Sequence, residues 1–270
     1  MNSLHTISDK KYVTQSYELI NARLDLSSVA LNVFYAIASQ IDINDEDLHK
    51  YEFSRSELEE TLGTKIEYKY LKSMAKDLMQ PFLIEDRNEK SFKTRNLFAS
   101  FDYENNIITA QINPLMKDHF IGLKQNFVSA KFLGSVSKIK NMYAKKMYFK
   151  LKQRLLLKKY TFDLAELQES LVIPKSLKTF GNFKKRVLNQ TVEEINKYTD
   201  LTVSYNVIKK GHSVVAVEFF IDSNKEFIAA ENERKSKLKQ YFKSKKNNTK
   251  KEENDNNKGG VNAVEDWLNS

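Results

Sequence analysis

The 270-residue sequence contains no cysteine. That absence excludes disulfide staples, cysteine-based zinc sites and thiol catalysis, and it suits a reducing compartment. The N-terminal stretch "MNSLHTISDKKYVTQ" has no apolar core, so no signal peptide is expected. No hydrophobic run approaches the length of a membrane span, so a soluble, cytoplasmic protein without membrane partners is expected. No G-x-x-x-x-G-K-[ST] motif is present, which removes the P-loop ATPases. The four histidines, His5, His49, His119 and His212, are scattered without metal-ligand spacing. No H-x-H pair exists to build the metal site of a rolling-circle nicking enzyme. The acid-rich "DINDEDLHK" (42–50) reads as a solvated loop. No metal, cofactor or enzymatic activity is expected.

What is present is charge, unevenly spread. Residues 1–120 hold 14 Lys and Arg against 19 Asp and Glu, a net of −5. Residues 121–221 hold 19 against 7, a net of +12, and residues 222–270 hold 11 against 9. One block of about a hundred residues thus carries nearly all of the +9 excess and should seek a polyanion.

The chain also repeats itself. "FSRSELEETL" (53–62) aligns with "FDLAELQESL" (162–171): Phe53, Glu57, Leu58, Glu60 and Leu62 match Phe162, Glu166, Leu167, Glu169 and Leu171 at a constant offset. Ser54 with Glu57 reads as a capping box, and Asp163 with Glu166 resembles one. Each copy continues through a loop into a longer amphipathic helix, "IEYKYLKSMAKDLMQ" (66–80) and "TFGNFKKRVLNQTVEEINKY" (179–198). Strand-like runs follow: 82–86, 97–104 and 107–113 with Asn105-Asn106 as a turn, then 201–208 and 214–221 around "KKGHS". Each half opens with a helix, 27–41 and 137–158. Helix, short helix, turn, longer helix and hairpin is the order of a helix-turn-helix with a β-wing. The expected fold is therefore α+β, mainly helical, with two tandem winged-helix domains at 10–121 and 135–222. A packed connection is expected at 122–134, a charged helix at 223–243, and a disordered basic tail at 244–270 ending in an apolar patch around Trp267.

Three surfaces stand out as candidates for double-stranded DNA. On the second long helix, Phe180, Phe183, Val187, Val192 and Ile195 form the expected buried face. Asn182, Lys185, Arg186, Asn189 and Glu193 lie opposite, with Lys178 just ahead. Asn and Arg can bond bidentately to adenine and guanine edges. The acids Glu193 and Glu194 are expected where the helix leaves the groove. Lys65, Lys69, Lys72 and Lys76 make a stripe on the first long helix, opposite Ile66, Tyr70, Met74 and Leu78; lysine neutralises phosphate but specifies bases less sharply. The run 131–160 has ten Lys and Arg and no acid, and Lys138, Lys140, Lys145 and Lys146 within it are expected along the DNA backbone. Lys209, Lys210 and His212 at the hairpin tip are a fourth, smaller candidate.

At these residues the sequence resembles the initiator replication proteins of iteron-containing, theta-replicating plasmids. The resemblance covers roughly residues 10–222. It lies in "SYELINARLDLSSVALNVFYAIASQI" (16–41), in "FDLAELQESLVI", in an F-x-x-F-K-x-R-V-L run leading to Glu194-Ile195-Asn196, and in "DLTVSYNVIKKGHSVVAVEFFI" (200–221). It implies tandem winged helices that bind direct origin repeats as monomers and help melt adjacent AT-rich DNA. It also implies dimers that bind an inverted operator repeat and repress their own gene, with the first domain and strands within 97–113 at the dimer contact. The host initiator and replicative helicase are its implied partners. It places DNA contacts at Lys184 and Arg186. A winged-helix transcriptional repressor without initiator role is the alternative reading.

Overall fold

In the computed structural model, the structure describes residues 12–234, 236 and 237, apart from Thr64, Glu89, Lys90 and Leu133. The expected tail at 244–270 and the Trp267 patch lie outside the described residues.

Two winged-helix units follow one another. The chain enters on β1 (Tyr12–Ser16) and α1 (Tyr17–Asn21), whose first turn is capped by Ser16 Oγ accepting from Leu19 N–H. Helix α2 (Ser28–Ala38) is capped by Ser27 and is buried continuously from Val33 to Ala38, so it forms the centre of the first domain. Then come β2 (Lys50–Ser54), α3 (Arg55–Leu62) and α4 (Tyr68–Met79). The expected capping box at Ser54 and Glu57 forms, and Gly63 closes α3 with φ +63°, a backbone that glycine adopts without strain. Strands β3 (Pro81–Asn88) and β4 (Ser91–Asn96) pair with each other as a separate hairpin. Strands β5 (Phe98–Glu104) and β6 (Ile107–Ile112) join β2 in the order β2-β6-β5. Asn105 and Asn106 link them with φ of 50° and 65°, the two positive angles of a type I′ turn.

Strand β7 (Phe127–Lys131) follows, then α5 (Met142–Lys152), β8 (Lys159–Asp163) and α6 (Leu164–Ser170). A continuous helical stretch runs through α7 (Phe180–Phe183), a π turn (Lys184–Leu188) and α8 (Asn189–Tyr198). The hairpin of β9 (Leu201–Lys210) and β10 (Ser213–Ser223) completes a sheet ordered β8-β10-β9, the same order as in the first half. The repeat extends one element further back than the motif showed. Strands β2 and β8 occupy 50–54 and 159–163, and the side chains of Phe53 and Phe162 pack inward from them.

Several local expectations change. Residues 122–134 carry β7, which pairs with β1 from Tyr12↔Lys131 to Ser16↔Phe127, with Val128 and Ala130 buried by alternation. The helix expected over 137–158 shrinks to α5, flanked by 3-10 turns at Val136–Lys138 and Leu155–Leu157, because Lys158 turns left-handed (φ 63°) to enter β8. On α4, Leu71 is buried where Tyr70 was expected, since the helix starts only at Tyr68. Residues 225–234 are helical; Asn224 Oδ1 accepts from Phe227 N–H at their start, and Lys237 pairs with Glu233 at 2.7 Å.

Helix α5 is buried at every position from Ala144 to Leu151. A helix apolar all round suits such a place, yet this one carries Lys145, Lys146 and Lys150, each under a tenth exposed. Their ammoniums point into the first domain: Lys145 to Asn32 Oδ1 on α2, Lys146 to the Leu24 carbonyl, and Lys150 towards Asn21 Oδ1. Phe149 packs on Tyr35 of α2 with ring centroids 5.1 Å apart. The other side of α5 holds the second domain. Tyr148 donates to Asp200 at 2.8 Å, and Lys152 pairs with the same carboxylate at 2.7 Å. Desolvation lowers Lys145, Lys146 and Lys150 from the usual lysine value to about 8.

Those lowered values predict a pH dependence. Between about 8 and the unfolded value of 10.5 the unfolded chain binds more protons than the native one, so stability rises with pH across that window. The buried ammonium penalty is fully present below pH 8. Above pH 10 the desolvated Tyr35 and Tyr51, whose pKa values are raised, work in the opposite direction. Urea midpoints are therefore expected to climb from pH 8 to 10, and Lys145→Met is expected to flatten part of the climb. A flat wild-type profile would mean that these ammoniums are solvated.

Candidate nucleic-acid interface

The opposite face of each long helix is open. In the second domain Phe183, Val187, Leu188, Thr191 and Ile195 are buried. Leu188 and Thr191, which helical spacing also allows on this face, join it, and within the stretch a π turn brings Asn189 N–H back to the Lys184 carbonyl. Val187 and Leu188 are both fully buried in the same core as Phe183. Lys184, Lys185 and Arg186 are left as three consecutive exposed cations. Both Lys184 and Lys185 are therefore available. None of the three side chains bonds or ion-pairs with another described residue. Lys178, Asn182 and Asn189 are exposed on the same stretch. The two asparagines are partly committed: Asn182 Nδ2 donates to the Ser176 carbonyl at 3.0 Å, and Asn189 Oδ1 accepts from Tyr205 O–H at 2.7 Å. Asn189 keeps its amide N–H groups, Asn182 its carbonyl oxygen.

The residues ahead of α5 are tied to this helix. Asn141 caps α5 by accepting from the Tyr143 and Ala144 N–H groups, and its Nδ2 donates to the Arg186 carbonyl at 3.1 Å and to Gln190 Oε1. Glu194, expected as an acid that marks the helix leaving the groove, has another role. Its carboxylate accepts from the backbone N–H groups of Lys140 (2.6 Å) and Asn141 (3.1 Å), just ahead of α5. A carboxylate at that position favours the helix dipole. Lys138 and Lys140, both exposed, thereby flank the long helix. At the wing tip, Lys209, Lys210 and His212 are exposed, and Gly211 with φ 64° makes a two-residue turn.

Lys145 and Lys146 require a correction. They were expected to lie on the DNA backbone, but the structure turns them into the domain junction, where their hydrogen-bond partners are Asn32 and the Leu24 carbonyl. Amphipathic spacing could not reveal this, because the covering surface comes from residues more than a hundred positions earlier.

In the first domain Lys65, Lys69, Lys72 and Lys76 are all exposed, Lys65 just ahead of α4. Lys69 pairs with Glu67 at 3.0 Å, an exposed bridge that leaves it accessible. Tyr68, which sequence spacing did not single out, and Tyr70, which was expected on the buried face, are exposed between these lysines. Among the described residues no His, Asp and Glu cluster could hold a metal ion, and no helix is long and apolar enough to cross a membrane.

Two helix-turn-helix units, each with a three-stranded sheet and each showing a cationic helix face, define a tandem winged-helix protein built for DNA. The family model for "Initiator Replication protein, WH1" matches residues 12–152, and that for "Initiator Rep protein, WH2" matches residues 163–221. The chain belongs to the initiator replication protein family. Two solved structures of domains 2 and 3 of RctB also resemble it. One is 15% identical, covering 82% of this chain and 90% of that one with a TM-score of 0.39. The other is 14% identical, covering 85% and 93% with a TM-score of 0.40.

The burial contrast between neighbouring lysines gives a direct test. Lys140→Ala is expected to reduce the slope of log affinity against log salt by about 0.9 if it meets one phosphate. Lys145→Met should leave that slope unchanged. A reduced slope for Lys145→Met would place its ammonium on DNA after all.

Proposed function

We propose that this protein is a replication initiator that reads double-stranded direct repeats at a plasmid origin and promotes opening of adjacent DNA, with no catalytic step of its own. The observation that carries the reading is the exposed, unpartnered triplet Lys184-Lys185-Arg186 on the second-domain helix. It stands within a chain whose two halves match the two winged-helix models of the initiator family. Arg186 is the base-reading residue of choice, because a guanidinium bonds guanine bidentately in the major groove. Lys184, Lys185, Lys138 and Lys140 hold phosphates beside it. The first domain, with its Lys65, Lys69, Lys72 and Lys76 stripe, grips more than it reads. Lys209, Lys210 and His212 at the wing reach the backbone or minor groove. Autorepression as a dimer on an inverted repeat, and recruitment of the host initiator and replicative helicase in the cytoplasm, belong to the same proposal on the strength of family membership.

A transcriptional repressor with this fold would need only a palindrome upstream of its own gene. Footprinting on the DNA surrounding the gene separates the two. Protected direct repeats of about 20 bp beside an AT-rich tract support the initiator, and a lone protected palindrome contradicts it. Within the complex, Arg186→Ala is expected to weaken binding to the native repeat by about 1–3 kcal/mol and to relax one base position. Equal weakening on native and scrambled DNA would make Arg186 a phosphate contact instead.

A further inference from the structure

Helix α4 opens on two aromatic side chains that the first domain does not cover. Tyr68 is 64% exposed and Tyr70 is 52% exposed. On the same helix Leu71, Met74 and Leu78 face the core. At 3.6 residues per turn Lys69, Lys72 and Lys76 fall on the opposite side, and the two tyrosines flank that side, one at each edge. The matching stretch of the second domain is built differently. Its aromatics, Phe180 and Phe183, pack on the core, and its outer face carries Lys184, Lys185 and Arg186 instead.

Both rings are propped on one side. Tyr68 leans on Tyr103 of β5, with ring centroids 6.0 Å apart and planes at 46°. Lys69 Nζ lies over the Tyr70 ring, 5.0 Å from its centroid. The rest of each ring meets solvent. Large aromatic surface left in water beside a row of ammoniums suits a ligand that is anionic and also carries apolar groups. Duplex DNA has both. Its phosphates suit the lysines, but a tyrosine ring gains nothing from phosphate charge. The methyl displayed in the major groove is the C5-methyl of thymine, and it is read by apolar contact. The N-terminal part of a recognition helix is what enters that groove, and Tyr68 and Tyr70 are in the first turn of α4.

We propose that Tyr68 and Tyr70 select thymine in the first domain's part of the repeat, each ring packing on a C5-methyl in the major groove while the lysines between them hold phosphates. This rests on the proposed binding of duplex repeats, and it adds base selection to a helix whose lysines alone would only grip. The two domains then discriminate by different chemistry, apolar contact in the first and charged hydrogen bonds in the second.

The test uses the full chain and the direct repeat protected in footprinting, prepared with thymine or with deoxyuridine throughout. Uracil pairs as thymine does and lacks only the methyl. The wild-type chain is expected to bind the uracil duplex more weakly, by about fourfold for each methyl contacted, the worth of one buried methylene-sized group. In Tyr68→Ala/Tyr70→Ala the ratio of the two affinities should shrink by about fourfold or more, and Tyr68→Ala and Tyr70→Ala alone should each shrink it in part. Tyr68→Phe/Tyr70→Phe should keep the wild-type ratio, because the ring and not the hydroxyl makes the contact. Equal wild-type affinity for the two duplexes would overturn the proposal and leave repeat binding intact. An undiminished thymine preference in the alanine variants would also overturn it, since other residues would then meet the methyls. A phenylalanine pair that behaves like the alanine pair would make the hydroxyls the contacting groups and sink the idea. A wild-type chain that binds repeat and scrambled duplex alike would remove the initiator function, and this inference with it.

Discussion

Helix α5 falls within the WH1 match at residues 12–152, but both domains hold it. It precedes β8 of the second winged helix in chain order, yet Lys145, Lys146 and Lys150 bond to residues 21–32 of the first domain and Phe149 packs on Tyr35. Its other side is held by Asp200, and the residues at its start are bonded to Glu194 and Gln190. An ammonium out of water costs several kcal/mol unless its bonds are made. The bonds to Asn32, the Leu24 carbonyl and Asn21 offset that cost only in part, so what opposes separation of the domains is apolar packing, including an aromatic pair that contributes about 0.5–1.5 kcal/mol beyond its buried area. Lys138 and Lys140, just ahead of α5, and the backbone of Arg186, through Asn141, are positioned from this junction.

The two halves share one plan and differ on one face. Both keep the strand, capped helix, long helix and hairpin, and both sheets have the same order. What differs is the exposed face of the long helix. In the first half it is regular and carries lysines. In the second a π turn gathers Lys184, Lys185 and Arg186 on one outer arc while burying Val187 and Leu188 together. A π turn in the middle of a helix forgoes regular i→i−4 bonds, and such turns are frequent at functional sites. Here it resolves the crowding of a short apolar pair on the inside with a cluster of cations on the outside.

Much of this was legible in the sequence, and the failures have physical causes. The matching of Phe53 with Phe162 and Leu58 with Leu167 was visible because a capped helix with aromatic and leucine anchors is a local pattern. The Asn105-Asn106 turn and the β9–β10 hairpin were visible for the same reason. Strands β2 and β8 were missed because five residues of alternation are too few to stand out, although they share the repeat's offset. Strand β7 was hidden because its partner, β1, lies more than a hundred residues away. The lysines of α5 were misread because lysine is rarely buried and its covering surface is non-local. Leu188 was missed although a 3.6-residue period places it eight residues from Phe180 and seven from Ile195, on the buried side. Lys185 and Arg186 were singled out by residue type and face and Lys184 by the family resemblance alone, and all three are exposed around the π turn.

The central claim is that α5 joins two winged helices into one cooperative unit, so that a cationic helix from each is presented together. Native-state amide hydrogen exchange tests it directly, because it resolves the opening free energy of each element. The account predicts that α5 amides exchange only with global unfolding, in one class with the core amides of α2 and α8. Exchange of α5 at a distinctly lower free energy, or release of α2 and α8 in separate steps, would contradict it.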